Sequence, residues 1–132
     1  MPAKILIIDD DKELCEEIIE ILGGEGYLIK AEYDGLNGKE AVEKDGYDLL
    51  LLDLKLPGLS GFDVLKRIRA KNIRIKIIVV SGRPKNDGLF RENTVFKDSD
   101  KEEEDTLKLA DGIISKPFEV KTMLNKIKEL LA

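Results

Sequence analysis

Short apolar runs alternate along the chain with segments in which apolar residues recur at helical spacing. Three runs are continuous and lie at residues 5–8, 49–52 and 77–80. A continuous apolar run predicts a strand that is covered on both faces, as the strands of a parallel sheet are. Two less apolar runs, at residues 27–31 and 112–115, predict a second and a fifth strand.

Helical periodicity fills the intervals between these strands. Glycines 23, 24 and 26 are placed to end a first helix, and Gly61 is placed to open a third one. Repeated strand–helix units predict a doubly wound α/β fold, with a five-stranded parallel sheet and helices on both faces. The apolar positions at helical spacing are Leu14, Ile18, Ile21 and Leu22, then Leu65 and Ile68, then Val120, Leu124, Ile127 and Leu131.

One stretch interrupts this pattern. Residues 83–100 show no periodicity and exceed the roughly 12–15 residues beyond which structureless loops are uncommon. The charged residues 100–105 fit the solvated first turn of a fourth helix that ends near Leu109. We therefore expect one domain over residues 1–132, with an unusually long connection between the fourth strand and the fourth helix.

Composition excludes several classes of function. The net charge of −5 argues against a nucleic-acid-binding surface, and the absence of histidine excludes Ser-His-Asp catalysis and imidazole-bound metals. The one cysteine, Cys15, has no partner for an internal disulfide and is expected to be a small apolar filler in the first helix. No apolar run is long enough to span a membrane and no signal sequence is visible, so we expect a cytoplasmic protein.

Polar residues stand where each predicted strand ends. Ligands of open α/β sheets bind at the carboxyl ends of the strands, so these side chains are expected to converge. The residues are Asp9, Asp10 and Asp11 after the first strand, Asp53 after the third, Ser81 after the fourth and Lys116 after the fifth.

Bringing carboxylates together has an electrostatic cost. Two of them about 4 Å apart repel by about 4 kcal/mol at an effective dielectric constant of about 20. The repulsion is relieved if a cation binds there or if one acid stays protonated. Oxygen ligands at an edge open to water suit Mg²⁺ or Mn²⁺. A divalent metal, a lysine and a carboxylate can together stabilise a phosphoryl group in transfer, with Asp53 as the nucleophile.

With these motifs the sequence resembles a receiver domain (CheY-like) of the response regulators of two-component signal transduction. The resemblance covers residues 4–131 apart from the stretch after Ser81, and it implies a flavodoxin-like (βα)5 fold with strand order 2-1-3-4-5. The matching motifs are Asp9-Asp10, the run DLKLPGLSG at residues 53–61, Ser81-Gly82 and Lys116-Pro117-Phe118.

The resemblance implies a metal site for Mg²⁺, with Mn²⁺ as a possible substitute. Asp10 would bind the metal directly and Asp9 mainly through water. Asp53 and the backbone carbonyl of Lys55 would be the remaining protein ligands.

The resemblance also implies a phosphorylation reaction in which Asp53 is the acceptor. Ser81 would donate its hydroxyl to one phosphoryl oxygen and Lys116 would pair with another. The Lys116–Pro117 bond would be cis, and the small Gly82 would leave room for the phosphoryl group. Because the chain has no histidine, the donor group cannot be its own phosphohistidine. The resemblance implies that the donor is a histidine kinase or a histidine phosphotransfer protein, with a small phosphodonor as the alternative. Output would pass by contact to an effector protein, through the face formed by strand 4, helix 4 and strand 5, unless the chain is one piece of a longer polypeptide.

Two departures from the family concern that output face. Ile113 stands where receivers carry Tyr or Phe, and Lys116 follows Ser81 by 35 positions, more than is usual. We expect residues 83–100 to reshape the face for a particular partner. Lys55 and Arg83 lie two residues after Asp53 and Ser81, at positions that border the path of attacking water in receivers. The resemblance therefore implies that they slow the hydrolysis of the phosphate, with plain exposed cations as the alternative.

Each residue also has a simpler interpretation on its own. The three aspartates after the first strand fit helix caps, with Asp11 the best placed, and Asp53 fits a turn. Ser81 fits a loop hydroxyl and Lys116 a surface lysine. The alternatives for the whole chain are a degenerate receiver that only binds, or a magnesium-dependent aspartyl phosphatase. Against the phosphatase, Lys55 occupies the position of its second acid, so we expect no turnover of an external substrate.

Overall fold

Five parallel strands form one sheet with the order β2-β1-β3-β4-β5, in a computed structural model that describes residues 2–81 and 104–132. The predicted fold class and strand order are confirmed, and the predicted strand bounds differ from the observed ones by at most one residue. The strands are β1 Lys4–Ile8, β2 Leu28–Glu32, β3 Leu49–Asp53, β4 Lys76–Ser81 and β5 Gly112–Ser115.

Helices follow the strands in the connections that the structure describes. The helix α4 is seen at residues 104–107, and its end agrees with the prediction of a helix ending near Leu109. The predicted long connection at residues 83–100, with Gly82 and Arg83, lies outside the described residues. The other helices are α1 Lys12–Gly24, α2 Gly35–Lys44, α3 Gly61–Ala70 and α5 Val120–Leu131.

The central strands are buried on both faces, as their continuous apolar runs predict. All five residues of β3 are buried. Leu50 and Leu52 belong to a core cluster shared with α2 and α3, whereas Leu49 and Leu51 belong to a second cluster shared with α1 and α5. Because successive residues of a strand point to opposite faces, one strand contributes to both cores.

The helix α2 has no large apolar stripe and was not predicted by periodicity. Its buried residues are Gly35, Gly38, Ala41 and Val42. A Cβ built on Gly38 would lie 2.7 Å from Cγ1 of Ile8, so the helix packs on the sheet through its backbone. Close packing through small residues leaves little hydrophobic periodicity in the sequence.

The start of α1 confirms one of the simpler interpretations. The Asp11 side chain caps the helix by accepting a hydrogen bond from the Leu14 amide at 3.1 Å. The helix ends at Gly24, and Gly26 has a φ of 93°, which a glycine adopts without strain. Among the described helices, none is both long and apolar enough to cross a membrane.

Candidate functional site

The parallel sheet places the predicted site residues at one edge. Asp9 directly follows β1, Asp53 is the last residue of β3, Ser81 is the last residue of β4 and Lys116 directly follows β5. In the register of the sheet, Asp53 lies beside Val80 of β4. The carboxyl ends of four strands therefore bring these side chains to a common surface.

Three carboxylates meet at this edge. Asp9, Asp10 and Asp53 each offer an oxygen, and these oxygens all lie within 4.8 Å of one another. Asp9 is 3% exposed and Asp53 is 5% exposed, whereas Asp10 is exposed. A set of carboxylate oxygens that is open to water on one side fits a small hard dication, which keeps several waters when it is bound.

Lys116 brings an ammonium group into the same cluster. Its Nζ donates a hydrogen bond to Oδ2 of Asp9 at 2.8 Å and lies 4.0 Å from Oδ2 of Asp53. Burial favours the neutral amine, but the hydrogen bond and charge of Asp9, with the charges of Asp53 and Asp11, outweigh it and raise the pKa of Lys116. This lysine therefore stays protonated near neutral pH.

The chain around Lys116 is joined to the strand beside it. The Lys116 amide donates a hydrogen bond to the Ser81 carbonyl at 2.6 Å. The Lys116–Pro117 peptide bond is cis. Ser81 itself is buried at the end of β4.

Asp9 is held in place by several groups. Its Oδ1 accepts a hydrogen bond from the Asp11 amide at 2.9 Å, and its own amide donates to the Glu32 carbonyl at 3.1 Å. Its carbonyl accepts from the Sγ of Cys15 at 3.4 Å. Burial and the charge of Asp9 raise the pKa of Cys15 to about 12, so the thiol keeps its proton and stays a donor.

The contact from Cys15 adds to what the sequence showed. The residue is fully buried in α1, as expected for an apolar filler, but its thiol also supports the backbone of Asp9. The pattern of apolar positions does not show this second contact, because the pattern records burial and not hydrogen bonding.

Asp53 has a strongly altered pKa. Burial raises it to about 6, the charge of Asp9 adds to the rise, and Lys116 and the Lys55 amide act in the opposite direction. That amide donates to Oδ1 of Asp53 at 3.3 Å. Among residues 2–81 and 104–132, the site therefore holds more negative charge than its one lysine offsets. A dication would favour the ionised form of Asp53.

The Lys55 side chain is exposed beside this cluster, while its backbone amide faces Asp53. On β5, Ile113 is 52% exposed and pairs in register with Val79 of β4. An exposed isoleucine therefore occupies the position at which the resemblance would place an aromatic ring.

Comparisons with known proteins agree with this geometry. A model of the response regulator receiver domain matches residues 5–92, a range that ends before Lys116. The chain is 31% identical over 128 residues to an uncharacterized transcriptional regulatory protein, YkoG, of Bacillus subtilis, and covers 50% of that protein. It is 33% identical over 129 residues to the response regulator ArlR of Staphylococcus saprophyticus and covers 52% of it. These matches cover 96% and 98% of this chain, so it spans about half the length of the curated relatives.

Solved structures show the same fold. A CheY-like response regulator receiver domain protein from Methanospirillum hungatei is 29% identical, with a TM-score of 0.78 over 99% of this chain and 94% of that one. The response regulator TrrA from Thermotoga maritima, solved in complex with Mg²⁺–BeF, is 29% identical with a TM-score of 0.78. That match covers 99% of this chain and 100% of the Thermotoga chain. With the fold, the acidic cluster and the family match in agreement, the chain belongs to the response regulator receiver domains of two-component signal transduction.

Proposed function

We propose that this chain is a signalling switch that accepts a phosphoryl group on Asp53. The observation that carries the proposal is the meeting of Asp9, Asp10 and Asp53 at one edge, with the Lys116 ammonium against them. Such an arrangement costs stability unless a further positive charge balances it, and it provides an anionic nucleophile beside a fixed cation. Receiver domains in general are signalling switches, which agrees with this chemistry.

A magnesium ion would supply the missing positive charge. Asp9, Asp10, Asp53 and the backbone carbonyl of Lys55 would hold it, and Mn²⁺ would suit the same oxygens. The Mg²⁺–BeF complex of the Thermotoga relative supports this assignment. When bound, the ion neutralises charge on the oxygens of the phosphoryl group in transfer.

In the proposed transfer, a carboxylate oxygen of Asp53 attacks phosphorus. The phosphorus–nitrogen bond of a partner's phosphohistidine breaks, and the imidazole leaves with the bonding electrons and takes up a proton. The product is an acyl phosphate on Asp53. Lys116 would pair with one phosphoryl oxygen, and the Ser81 hydroxyl would donate to another. Since the chain has no histidine, the donor is a separate histidine kinase or phosphotransfer protein.

Hydrolysis resets the proposed switch. Water attacks phosphorus, the bond from phosphorus to the Asp53 oxygen breaks, and inorganic phosphate leaves the restored carboxylate. In this scheme the protein turns over its own phosphate and no external substrate. The side chain two residues after Asp53, Lys55, is a cation and supplies no second acid for an aspartyl phosphatase.

We also propose that output passes by protein contact through the face formed by β4, α4 and β5. Ile113 of β5 is an apolar residue that is 52% exposed, so it is available for contact with a partner. We assign residues 1–132 to a single domain in which residues 83–100 contribute to the choice of partner. Deleting them should weaken partner capture by the phosphorylated protein without preventing phosphorylation, and unchanged capture would contradict this assignment.

The experiment that tests phosphorylation is incubation with acetyl phosphate and Mg²⁺, followed by intact mass measurement. We expect the mass to rise by one phosphoryl group, to need Mg²⁺, and to stay unchanged for Asp53→Asn. The matched control is Asp63→Asn, because Asp63 is an exposed acid on the first turn of α3 away from the cluster. That variant should be labelled like the wild type.

Two results would favour the alternative functions. A wild-type protein that gains no mass with acetyl phosphate and Mg²⁺ would be a receiver that only binds. Steady release of phosphate from p-nitrophenyl phosphate, lost in Asp53→Asn, would instead indicate a phosphatase.

A further inference from the structure

The loop that joins β3 to α3 carries part of the proposed metal site. We call residues 54–60 the β3–α3 arch. The arch begins directly after Asp53, and its second residue, Lys55, points its amide at the Asp53 carboxylate. The position of the arch therefore sets the distance between the Asp53 carboxylate and the Lys55 backbone.

One end of the arch is closed by the first residue of α3. The Gly61 amide donates a hydrogen bond to the Leu54 carbonyl at 3.0 Å. A Cβ built on Gly61 would lie 2.6 Å from Cα of Leu54 and closer still to the Asp53 carbonyl oxygen. Real Cβ atoms do not approach backbone this closely, so a side chain at residue 61 would force the end of β3 and the arch apart.

The other end of the arch is pressed by the first residue of α2. A Cβ built on Gly35 would lie 2.8 Å from the carbonyl carbon of Leu59 and closer still to its oxygen. The start of α2 is fixed, because the Asp34 side chain accepts a hydrogen bond from the Asn37 amide at 2.7 Å. A side chain at residue 35 would therefore displace Leu59 or the helix itself.

These contacts are made by backbone atoms, which cannot rotate away as a flexible side chain can. From the two contacts we infer that Gly35 and Gly61 are positioning residues for the metal site, because their lack of a side chain lets two helix starts hold the arch against Asp53. The inference rests on the proposed function, since it assigns the arch to a Mg²⁺ site. Neither glycine contacts the metal or the phosphoryl group.

The test is calorimetric titration of the full chain with MgCl₂, after circular dichroism has checked the fold. Gly35→Ala and Gly61→Ala should bind Mg²⁺ roughly 10–100-fold more weakly than the wild type, the range typical of residues that orient metal ligands. Gly46→Ala is the unstrained control, because nothing lies within 4 Å of a Cβ there. Gly38→Ala is the stability control, because it clashes with Ile8 in the core and not with the arch.

A third variant keeps the test decisive if an alanine variant fails to fold. Gly58 lies within the arch with a φ of 73°, and nothing lies within 4 Å of a Cβ there. Gly58→Val strains only the arch, since a β-branched residue disfavours that φ. It should weaken Mg²⁺ binding while the circular dichroism spectrum of the metal-free protein stays like that of Gly46→Ala.

Three outcomes would overturn the inference in distinguishable ways. Wild-type affinity for Mg²⁺ in Gly58→Val and in the folded alanine variants would overturn it alone. So would an equal loss of affinity in Gly38→Ala, because the loss would then follow stability. Absence of Mg²⁺ binding by the wild type would overturn both the inference and the metal site on which it rests.

Discussion

The two edges of the sheet treat charged side chains in opposite ways. At the amino edge, Oδ2 of Asp111 accepts hydrogen bonds from Nη2 of Arg69 at 3.0 Å and from the Ile77 amide at 2.8 Å. Arg69 also donates hydrogen bonds to the backbone carbonyls of Leu109, Ile73 and Ile75. The charge of Arg69 is therefore paired with Asp111, and its other hydrogen bonds go to the backbone.

At the carboxyl edge the charges of the described residues are unbalanced. Three carboxylates lie against one ammonium there, and the pKa of Asp53 is raised to about 6 because burial and Asp9 oppose its ionisation. A cavity of about 690 Å³ lies at the amino edge instead, beside Arg69 and Asp111. The proposed functional edge is therefore identified by its charge imbalance and not by the presence of a cavity.

The largest effect on stability is expected at the balanced edge. Asp111→Ala leaves the Ile77 amide and the Arg69 guanidinium without their carboxylate, which should lower the free energy of unfolding by about 2 kcal/mol, because Asp111 is exposed and water replaces part of what is lost. Urea denaturation without Mg²⁺ measures this difference. Asp105→Ala is the control, because its pair with Lys108 is exposed and should contribute almost nothing. Equal loss in both variants would contradict the contrast between the edges.

At the carboxyl edge, by contrast, removing a carboxylate is expected to increase the stability of the protein. Without metal at pH 7, Asp53→Asn should raise the free energy of unfolding by about 1–2 kcal/mol, a figure reduced to allow for solvent screening. The reason is that the folded pKa of about 6 exceeds the ordinary value of 3.8. The stability that a protonated Asp53 contributes is fully present below pH 3.8 and is lost as the pH rises through 6.

The increase in the free energy of unfolding caused by Asp53→Asn should therefore grow between pH 4 and pH 6. Urea denaturation in EDTA measures this increase. Saturating Mg²⁺ should stabilise the wild type more than the variant and so reduce the difference. If Asp53→Asn were less stable than the wild type at pH 7 in EDTA, this would contradict the claim that the ionised Asp53 destabilises the metal-free protein.

The smallest effect is expected at Glu43, which joins α2 to the end of α3. Lys39, at 2.6 Å, and Lys71 hydrogen-bond its carboxylate and lower its pKa from 4.5 to about 2. The stability from this pairing is present above pH 4.5 and is lost as the pH falls through 2. Glu43→Gln should therefore be slightly less stable than the wild type at pH 6 and match it near pH 2. An unchanged difference across this range would show that the pairing contributes nothing.

Much of the fold follows from the sequence because the central strands are buried on both faces. A run such as 49–52 has few other interpretations in a chain of strand–helix units. The helix α2 could not be predicted from periodicity, because Gly35 and Gly38 stand where large apolar residues would otherwise show the pattern. The same close packing that hides this helix brings its start against the β3–α3 arch.

The residues of the candidate site can be predicted from where the strands end, but the contacts between their side chains cannot. Parallel strands alone bring Asp9, Asp53 and Lys116 to one edge. Side-chain geometry decides which carboxylate pairs with the lysine. In the structure Lys116 lies closer to Asp9 than to Asp53. The support that Cys15 gives to Asp9 depends on such geometry too.

The central claim is that Asp53 carries the phosphoryl group, and mapping the label tests it most directly. After incubation with acetyl phosphate and Mg²⁺, borohydride reduction converts an acyl-phosphorylated aspartate to homoserine, which peptide mass spectrometry locates. We expect homoserine at residue 53 and at no other acid, and none when Mg²⁺ is left out. Homoserine at Asp9 or Asp10, or reduction of no residue in a folded protein saturated with Mg²⁺, would contradict it.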